Sequence, residues 1–343
     1  MEDLNNYIEF CNYKQGLQQV YLLYESTCIL FRSNDLSFLN HVYDFRYVLN
    51  TRDDNISICG CVTVIIDKNM FPVRYDHDSY NESEPVPKSH PMYISGVTNT
   101  FFEYGDKIVH IYHYPNESIN IFDKAHEDYF SIVSSIKDAI KFSIHGIKMI
   151  VSSINLRKNV YPMHSSAVAY DGKGYLFLGG SHSGKSTIYM NLVCKGLTPV
   201  NDDIVLWRSN EESIVLNSVP TIFRGRDHSN SSIVMTEEYT LKRKQFCNDY
   251  DIVTQSEYCA NIKLDAIFVP EFGFDETSVS RISSIDVLKK IARACTALGF
   301  LEVTDDFHRN FNRLLRCDYY RLKMSNDYND VCNHIMKVIK ERI

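Results

Sequence analysis

The stretch that decides the fold runs from residue 175 to residue 186 and has the sequence YLFLGGSHSGKS. Its last eight residues match the pattern G-x-x-x-x-G-K-[ST], in which the backbone N–H groups of a glycine-rich loop surround phosphate groups. The apolar run before the loop predicts a buried strand, and the apolar spacing after Lys185 predicts a helix that ends at Gly196. A strand, a glycine-rich loop and a helix in this order predict an α/β fold that binds a nucleotide.

Different residues of this loop are expected to contact different parts of a bound triphosphate. Its glycines let the backbone curl until successive N–H groups face one anion, and the helix that follows adds the partial positive charge of its N-terminus. Lys185 brings a full charge to the β- and γ-phosphates, and the hydroxyl of Ser186 can bind Mg²⁺. The predicted nucleotide-binding residues are Gly179, Gly180, Ser181, His182, Ser183, Gly184, Lys185, Ser186 and Thr187.

Two adjacent carboxylates, Asp202 and Asp203, begin a second predicted strand at residues 200–207. Neighbouring strand residues face opposite ways, so the two side chains are expected to do different jobs. One can hold Mg²⁺ while the other accepts the proton of an attacking hydroxyl. A solvated turn is the alternative, but the short distance in sequence from the glycine-rich loop favours a catalytic pair.

Three segments together resemble a known nucleotide site. HSSA at 164–167, GGSHSGKST at 179–187 and NDD at 201–203 are similar to the site shared by HPr kinase/phosphorylase and phosphoenolpyruvate carboxykinase. The similarity is strongest to stand-alone HPr-kinase-like proteins, some of which are encoded in peptide-modification gene clusters. It covers residues 163–207, and extends more loosely to 264–270 and 317–322.

The resemblance implies a nucleotide-binding core of that type with ATP or GTP and Mg²⁺ as cofactors. It implies metal binding by Ser186 and Asp203, a catalytic carboxylate at Asp202 and a polar active-site role for His164. HPr kinases proper have Glu after the loop serine, where this chain has Thr187, and their downstream glycine-rich signature has no counterpart here. These departures argue against HPr as the substrate.

The expected function is therefore transfer of the γ-phosphoryl group of ATP to a hydroxyl, with Asp202, His164 and Lys185 as the catalytic residues. The acceptor is expected to be a serine hydroxyl of a peptide, a protein or a small amino acid. Two alternatives remain open: a nucleotide-binding regulator or scaffold without transfer activity, and an ATPase that uses water as its acceptor. The sequence also leaves open whether the chain forms a homo-oligomer.

Length, charge and composition limit the class of protein. A chain of 343 residues predicts about two domains, and a net charge of −7 argues against nucleic acid or an anionic membrane as a partner. No apolar run reaches the length of a membrane span, and the N-terminus does not resemble a signal peptide, so we expect a cytoplasmic protein. Ten cysteines without a C-x-x-C pair predict buried free thiols rather than a zinc site.

The predicted domains are a β-rich N-terminal domain at 1–122 and the HPr-kinase-like nucleotide-binding domain at 123–343. Strand-like segments at 20–31, 56–66 and 108–114 support the first, because β-branched and aromatic residues dominate them. Isoleucines spaced by three or four residues predict that 123–154 is a helix leading into the second domain.

Beyond residue 207, Arg224 and Arg226 are a possible phosphate clamp, since the planar guanidinium group suits phosphate oxygens. Two solvent-facing arginines beside a proline turn are the alternative. The polar interval 227–261 that follows is predicted either to close over the acceptor or to be a surface insertion.

Overall fold

The computed structural model describes residues 17–24, 27–42, 48–49, 57–67, 98–104, 106–114, 118–180, 183–210, 213–219, 261–295 and 304–342. It divides into two compact units, Met1–Ile154 and Asn155–Ile343. The boundary lies later than the predicted one at 122/123, because residues 118–133 complete the sheet of the first unit. Within the described residues no helix is both long and apolar enough to cross a membrane.

The first unit is built on an eight-stranded mixed sheet with the order β3-β1-β2-β4-β8-β7-β6-β5. The pairs β2–β4 and β4–β8 are parallel, and the other pairs are antiparallel. Its elements are β1 Gln18–Tyr24, β2 Thr27–Ser33, α1 Leu36–Val42, β3 Val48–Leu49, β4 Ile58–Ile66, β5 Thr98–Tyr104, β6 Lys107–Tyr114, β7 Ser118–Asp123, β8 Asp128–Val133 and α2 Ile136–Leu156.

The predicted helix at 123–154 is correct only from Ile136 onward. Residues 128–133 form β8 instead, paired with β4 and β7. Tyr129, Ser131, Ile132 and Val133 are all buried, so β8 is covered on both faces. A strand buried on both faces lacks the apolar and polar alternation that would distinguish it from a helix in the sequence.

The second unit contains the glycine-rich loop. Its elements are β9 Tyr161–Tyr170, β10 Lys173–Leu178, α3 Lys185–Cys194, β11 Thr198–Asn201, β12 Ile204–Ser209, β13 Ile214–Asn217, β14 Ile262–Phe272, β15 Ser278–Ile282, α4 Ser284–Cys295, α5 Asp305–Leu314, β16 Asp318–Met324 and α6 Tyr328–Glu341. β10 pairs with β9 on one edge and with β14 on the other, so the pairings β10-β9-β12-β13-β14-β10 form a closed ring.

Helices cover both faces of this sheet, which gives the second unit an α/β architecture. The alternate residues Tyr175 and Phe177 of β10 pack in one core with residues of α3 and α6. Leu176 and Leu178 pack in the other core with residues of α4 and α5. The predicted buried strand is therefore confirmed, and its continuous apolar run reflects burial on both faces.

Three strands at the centre of the second unit run in the same direction. β10 is parallel to β14, and β14 is parallel to β16, so their carboxyl ends lie at one edge of the sheet. Ligands of α/β proteins bind at this edge, because loops and helix N-termini converge there. The segment 179–184 leaves β10 at this edge and leads directly into α3.

Candidate functional site

The loop formed by residues 179–186, called the glycine loop below, needs glycine at two positions for geometric reasons. Gly184 is the N-cap of α3 and has φ 84°, in the left-handed region that glycine enters without steric cost. A Cβ atom at Gly184 would lie 2.6 Å from Cζ of Phe272. A Cβ atom at Gly179 would lie 2.4 Å from Oγ of Ser183. A larger residue at either position would therefore displace the loop or the side chain beneath it.

Gly180 has a different environment. Among the described residues, no atom lies within 4 Å of the place where its Cβ would stand. Glycine beside a binding site commonly allows the backbone to approach a ligand closely, and Gly180 stays a predicted binding residue. Ser181 and His182, the other predicted binding residues of this turn, lie outside the described residues.

Lys185 is buried at the N-terminus of α3, with 6% of its surface exposed. Its Nζ donates a hydrogen bond to the carbonyl of Gly180 at 2.9 Å. Burial lowers the pKa of Lys185, and the negative charges of Asp202 and Asp203 partly oppose that shift. A buried ammonium group beside the positive end of a helix is electrostatically unfavourable on its own, and a bound anion would relieve both charges.

The described hydroxyl groups of the glycine loop and of the first turn of α3 differ in their environments. The Oγ atom of Ser183 is buried and has no hydrogen-bond partner among the described residues. Buried polar atoms are nearly always paired, so an orphaned hydroxyl in a candidate binding loop indicates a partner supplied by a ligand. Ser186 and Thr187 are partly buried in the first turn of α3.

The two carboxylates lie in a turn and not in a strand, which corrects the prediction for 200–207. β11 ends at Asn201 and β12 begins at Ile204. Asp203 has φ 76°, a left-handed conformation that interrupts the strand ladder and that Asp adopts more readily than most residues. The Nδ2 atom of Asn201 holds the turn closed by donating to the carbonyls of Ile204 at 2.5 Å and Val219 at 3.2 Å.

The two carboxylates differ in exposure. Asp202 is buried, with 7% of its surface exposed, and its Oδ1 accepts a hydrogen bond from Oγ of Ser166. The side chain of Asp203 is 42% exposed, and its Oδ1 lies 2.9 Å from Nδ1 of His164. The same Nδ1 lies 3.0 Å from the carbonyl oxygen of Asp203.

β9 brings these groups to the glycine loop. In the ladder, Ser165 of β9 is paired with Leu178, the last residue of β10 before the loop. On the other edge of β9, His164 is paired with Ile204, the first residue of β12. The strand therefore joins the carboxylate turn to the end of β10. The role of Ser166 was missed from the sequence, although its spacing of two from His164 places both on one strand face.

The predicted metal ligands are chemically suitable for Mg²⁺. The hydroxyl of Ser186 and the carboxylates of Asp202 and Asp203 are hard oxygen donors, and Mg²⁺ often needs only one or two protein carboxylates besides substrate phosphates. Within the described residues, no group of three or more His, Cys, Asp or Glu side chains could hold a metal by itself.

Some predictions fall outside the described residues. Arg224 and Arg226, the possible phosphate clamp, lie there, as does the interval 227–260. Their roles stay predictions. The described cysteines form no disulfide with one another, and the prediction of burial holds for Cys28, Cys61, Cys295 and Cys332, whereas Cys59, Cys194 and Cys317 are only partly buried.

Comparison with known proteins finds structural similarity to solved proteins, one of which is an HPr(Ser) kinase/phosphatase. No protein-family model matches this chain, and no curated protein matches it in sequence. Among solved structures, the HPr(Ser) kinase/phosphatase from Coxiella burnetii aligns with 52% of this chain and 94% of its own, at 12% identity and a TM-score of 0.26. The functional assignment therefore depends on the glycine loop and the carboxylate turn themselves.

Proposed function

We propose that this chain is a nucleotide-dependent kinase that transfers the γ-phosphoryl group of ATP or GTP to a hydroxyl group. A serine of a peptide, a protein or a small amino acid is the expected acceptor. The observation that carries the proposal is the meeting of the glycine loop, with its buried Lys185, and the Asp202–Asp203 turn with its partner His164. A simple nucleotide binder needs the first feature but has no use for the second.

The glycine loop would hold the triphosphate. Its N–H groups and the N-terminus of α3 would bind phosphate oxygens, and Lys185 would exchange the carbonyl of Gly180 for a phosphate oxygen. The orphaned hydroxyl of Ser183 would gain an acceptor. Mg²⁺, held by Ser186 and a carboxylate of the turn, would offset charge on the phosphates when it is bound.

The transfer step would proceed as an in-line displacement. The acceptor oxygen forms a bond to the γ-phosphorus, and the bond from that phosphorus to the bridging oxygen of the nucleoside diphosphate breaks. The diphosphate leaves with the electron pair, while the hydroxyl proton passes to a carboxylate of the turn. Lys185 stays positively charged throughout and stabilises the negative charge that develops on the phosphate oxygens.

We assign the base to Asp203, whereas the resemblance implies Asp202 and the sequence leaves open which of the two it is. A general base must reach a hydroxyl that arrives from solution, and Asp203 is the more exposed carboxylate. His164 fixes its orientation through the contact at 2.9 Å. Asp202 is buried and hydrogen-bonded by Ser166, so it is better suited to the side that holds metal and phosphate.

The test is nucleotide turnover measured with and without a hydroxyl acceptor. Serine, serine-containing peptides and water alone should be compared, with phosphorylated product detected by mass spectrometry. We expect product only with an acceptor. Product should be lost in Lys185→Met, form more slowly in Asp203→Asn and require more Mg²⁺ in Asp202→Asn. Turnover that is independent of every acceptor would instead support the ATPase alternative, and tight binding with no turnover would support the regulator.

A further inference from the structure

Phe272 is an exposed aromatic residue at the edge of the glycine loop. It is the last residue of β14, and 41% of its surface is accessible to solvent. Its ring nevertheless approaches the loop closely, since Cζ and Cε2 lie 2.6 and 2.8 Å from the place where a Cβ of Gly184 would stand. The ring is therefore both accessible to solvent and in contact with the candidate phosphate-binding loop, and an aromatic ring so placed can stack with a nucleotide base.

A second aromatic residue supports Phe272 from the adjacent strand end. Tyr328 begins α6, directly after β16, and its ring meets Phe272 edge to face with centroids 6.2 Å apart. The helix that Tyr328 begins, α6, also packs against α3. Because β10, β14 and β16 are parallel, both rings lie at the carboxyl edge where the glycine loop begins.

The two aromatic residues and the two carboxylates lie on opposite sides of β10. β9 pairs with one edge of β10 and brings the Asp202–Asp203 turn to the loop. β14 pairs with the other edge and brings Phe272. A nucleoside triphosphate is arranged in the same order, because its reacting γ-phosphate is at one end and its flat aromatic base is at the other.

We infer that Phe272, supported by Tyr328, is the platform on which the base of the donor nucleotide stacks. The donor is therefore a nucleoside triphosphate and not pyrophosphate or another inorganic polyphosphate, which would have no use for an aromatic platform. This inference rests on the proposed function, since it requires that the glycine loop binds the phosphates.

The test compares ATP with inorganic tripolyphosphate, which carries the phosphates without a base, by calorimetric titration of the full chain. In Phe272→Ala, ATP affinity should fall roughly tenfold to a hundredfold, as expected for loss of one base–aromatic contact. Tripolyphosphate affinity should remain within about twofold, since stacking needs a base. Phe272→Tyr should keep near-wild-type affinity for both. Leu288→Ala is a matched control, because Leu288 is also 41% exposed but lies in α4.

A fluorescent variant gives an independent readout. Trp207 is the only tryptophan in the chain and is fully buried, so Phe272→Trp adds one exposed reporter over a constant background. ATP should quench the new fluorescence, and tripolyphosphate should not. Binding of ATP without any such change would overturn the inference.

The outcomes separate the platform from the phosphate site. If Phe272→Ala lowers the affinities for ATP and for tripolyphosphate equally, Phe272 only supports the loop. If the variant leaves the ATP affinity unchanged, no base stacks on Phe272. Either result refutes the platform but leaves the proposed kinase intact. If the wild-type chain binds neither ligand, or binds both equally well after Lys185→Met, the phosphate site fails and the platform fails with it.

Discussion

Replacement of Gly184 by alanine tests whether the conformation of the glycine loop depends on the ring beneath it. Gly184 combines a φ of 84° with a Cβ position 2.6 Å from Cζ of Phe272. Gly196, at the other end of α3, has φ 93° but no atom within 4 Å of its Cβ position. The two glycines therefore share the backbone strain that an alanine would introduce, and only Gly184 adds a steric clash.

The expected losses follow from these two contributions. Left-handed backbone at a residue with a Cβ costs about 1–2 kcal/mol, which is the whole effect expected for Gly196→Ala. Overpacking adds typically about 1–3 kcal/mol. The ring of Phe272 is partly exposed and can tilt away, so the lower part of that range applies. Gly184→Ala should thus lose about 2–4 kcal/mol of the free energy of unfolding.

Urea unfolding followed by the fluorescence of Trp207 measures this loss in the second unit alone, because the chain has no other tryptophan. In a Phe272→Ala background the cost of Gly184→Ala should fall by about 1–2 kcal/mol, which is the coupling energy of the contact. Equal losses for the two glycine variants, or no coupling between Gly184 and Phe272, would refute the steric argument. Gly184→Ala should also weaken ATP binding, while Gly196→Ala should not.

Four further predictions concern the charged residues of the site. Lys185→Met should leave the nucleotide-free protein as stable as wild type or more stable, because burial already disfavours the charged form of Lys185 and lowers its pKa. The variant should also lose the thermal stabilisation that ATP gives the wild type. A clear loss of stability without nucleotide would contradict this prediction. A bound triphosphate would raise the lowered pKa of Lys185 again, so ATP affinity should fall as the pH rises through the pKa of Lys185 in the free protein, which lies below 10.5. Calorimetry at increasing pH should show proton uptake on ATP binding. An ATP affinity that stays constant across that pH range would argue against this coupling. Asp203→Asn should lower the transfer rate by about a hundredfold to ten-thousandfold while the affinity for Mg-nucleotide is kept. Asp202→Asn should instead raise the Mg²⁺ requirement. If the two variants show the opposite effects, Asp202 is the base, as the resemblance implies. His164→Gln should lower the transfer rate less than Asp203→Asn does, since the imidazole orients the base, and an unchanged rate would remove His164 from the mechanism.

The sequence by itself determined the local elements around the glycine loop. The continuous apolar run of β10, the glycines and Lys185 specify a strand, a tight loop and a helix, because these features depend on residues close in the chain. The different environments of Asp202 and Asp203 were predicted from strand alternation, but the two residues lie in a turn, so their difference in exposure has another cause. The α/β class of the second unit follows from the same local patterns.

The tertiary structure decided which distant residues meet at the loop. The pairing of β9 with both β10 and β12 brings His164 to Asp203 and Ser166 to Asp202, and no local pattern encodes those pairings. The left-handed turn at Asp203 and the strand character of β8 likewise depend on neighbours far along the chain. Phe272 ends β14 and Gly184 follows β10, so their contact depends on the parallel pairing of these two strands. Parallel pairing is set by the packing of the whole sheet and its helices rather than by a turn between adjacent strands.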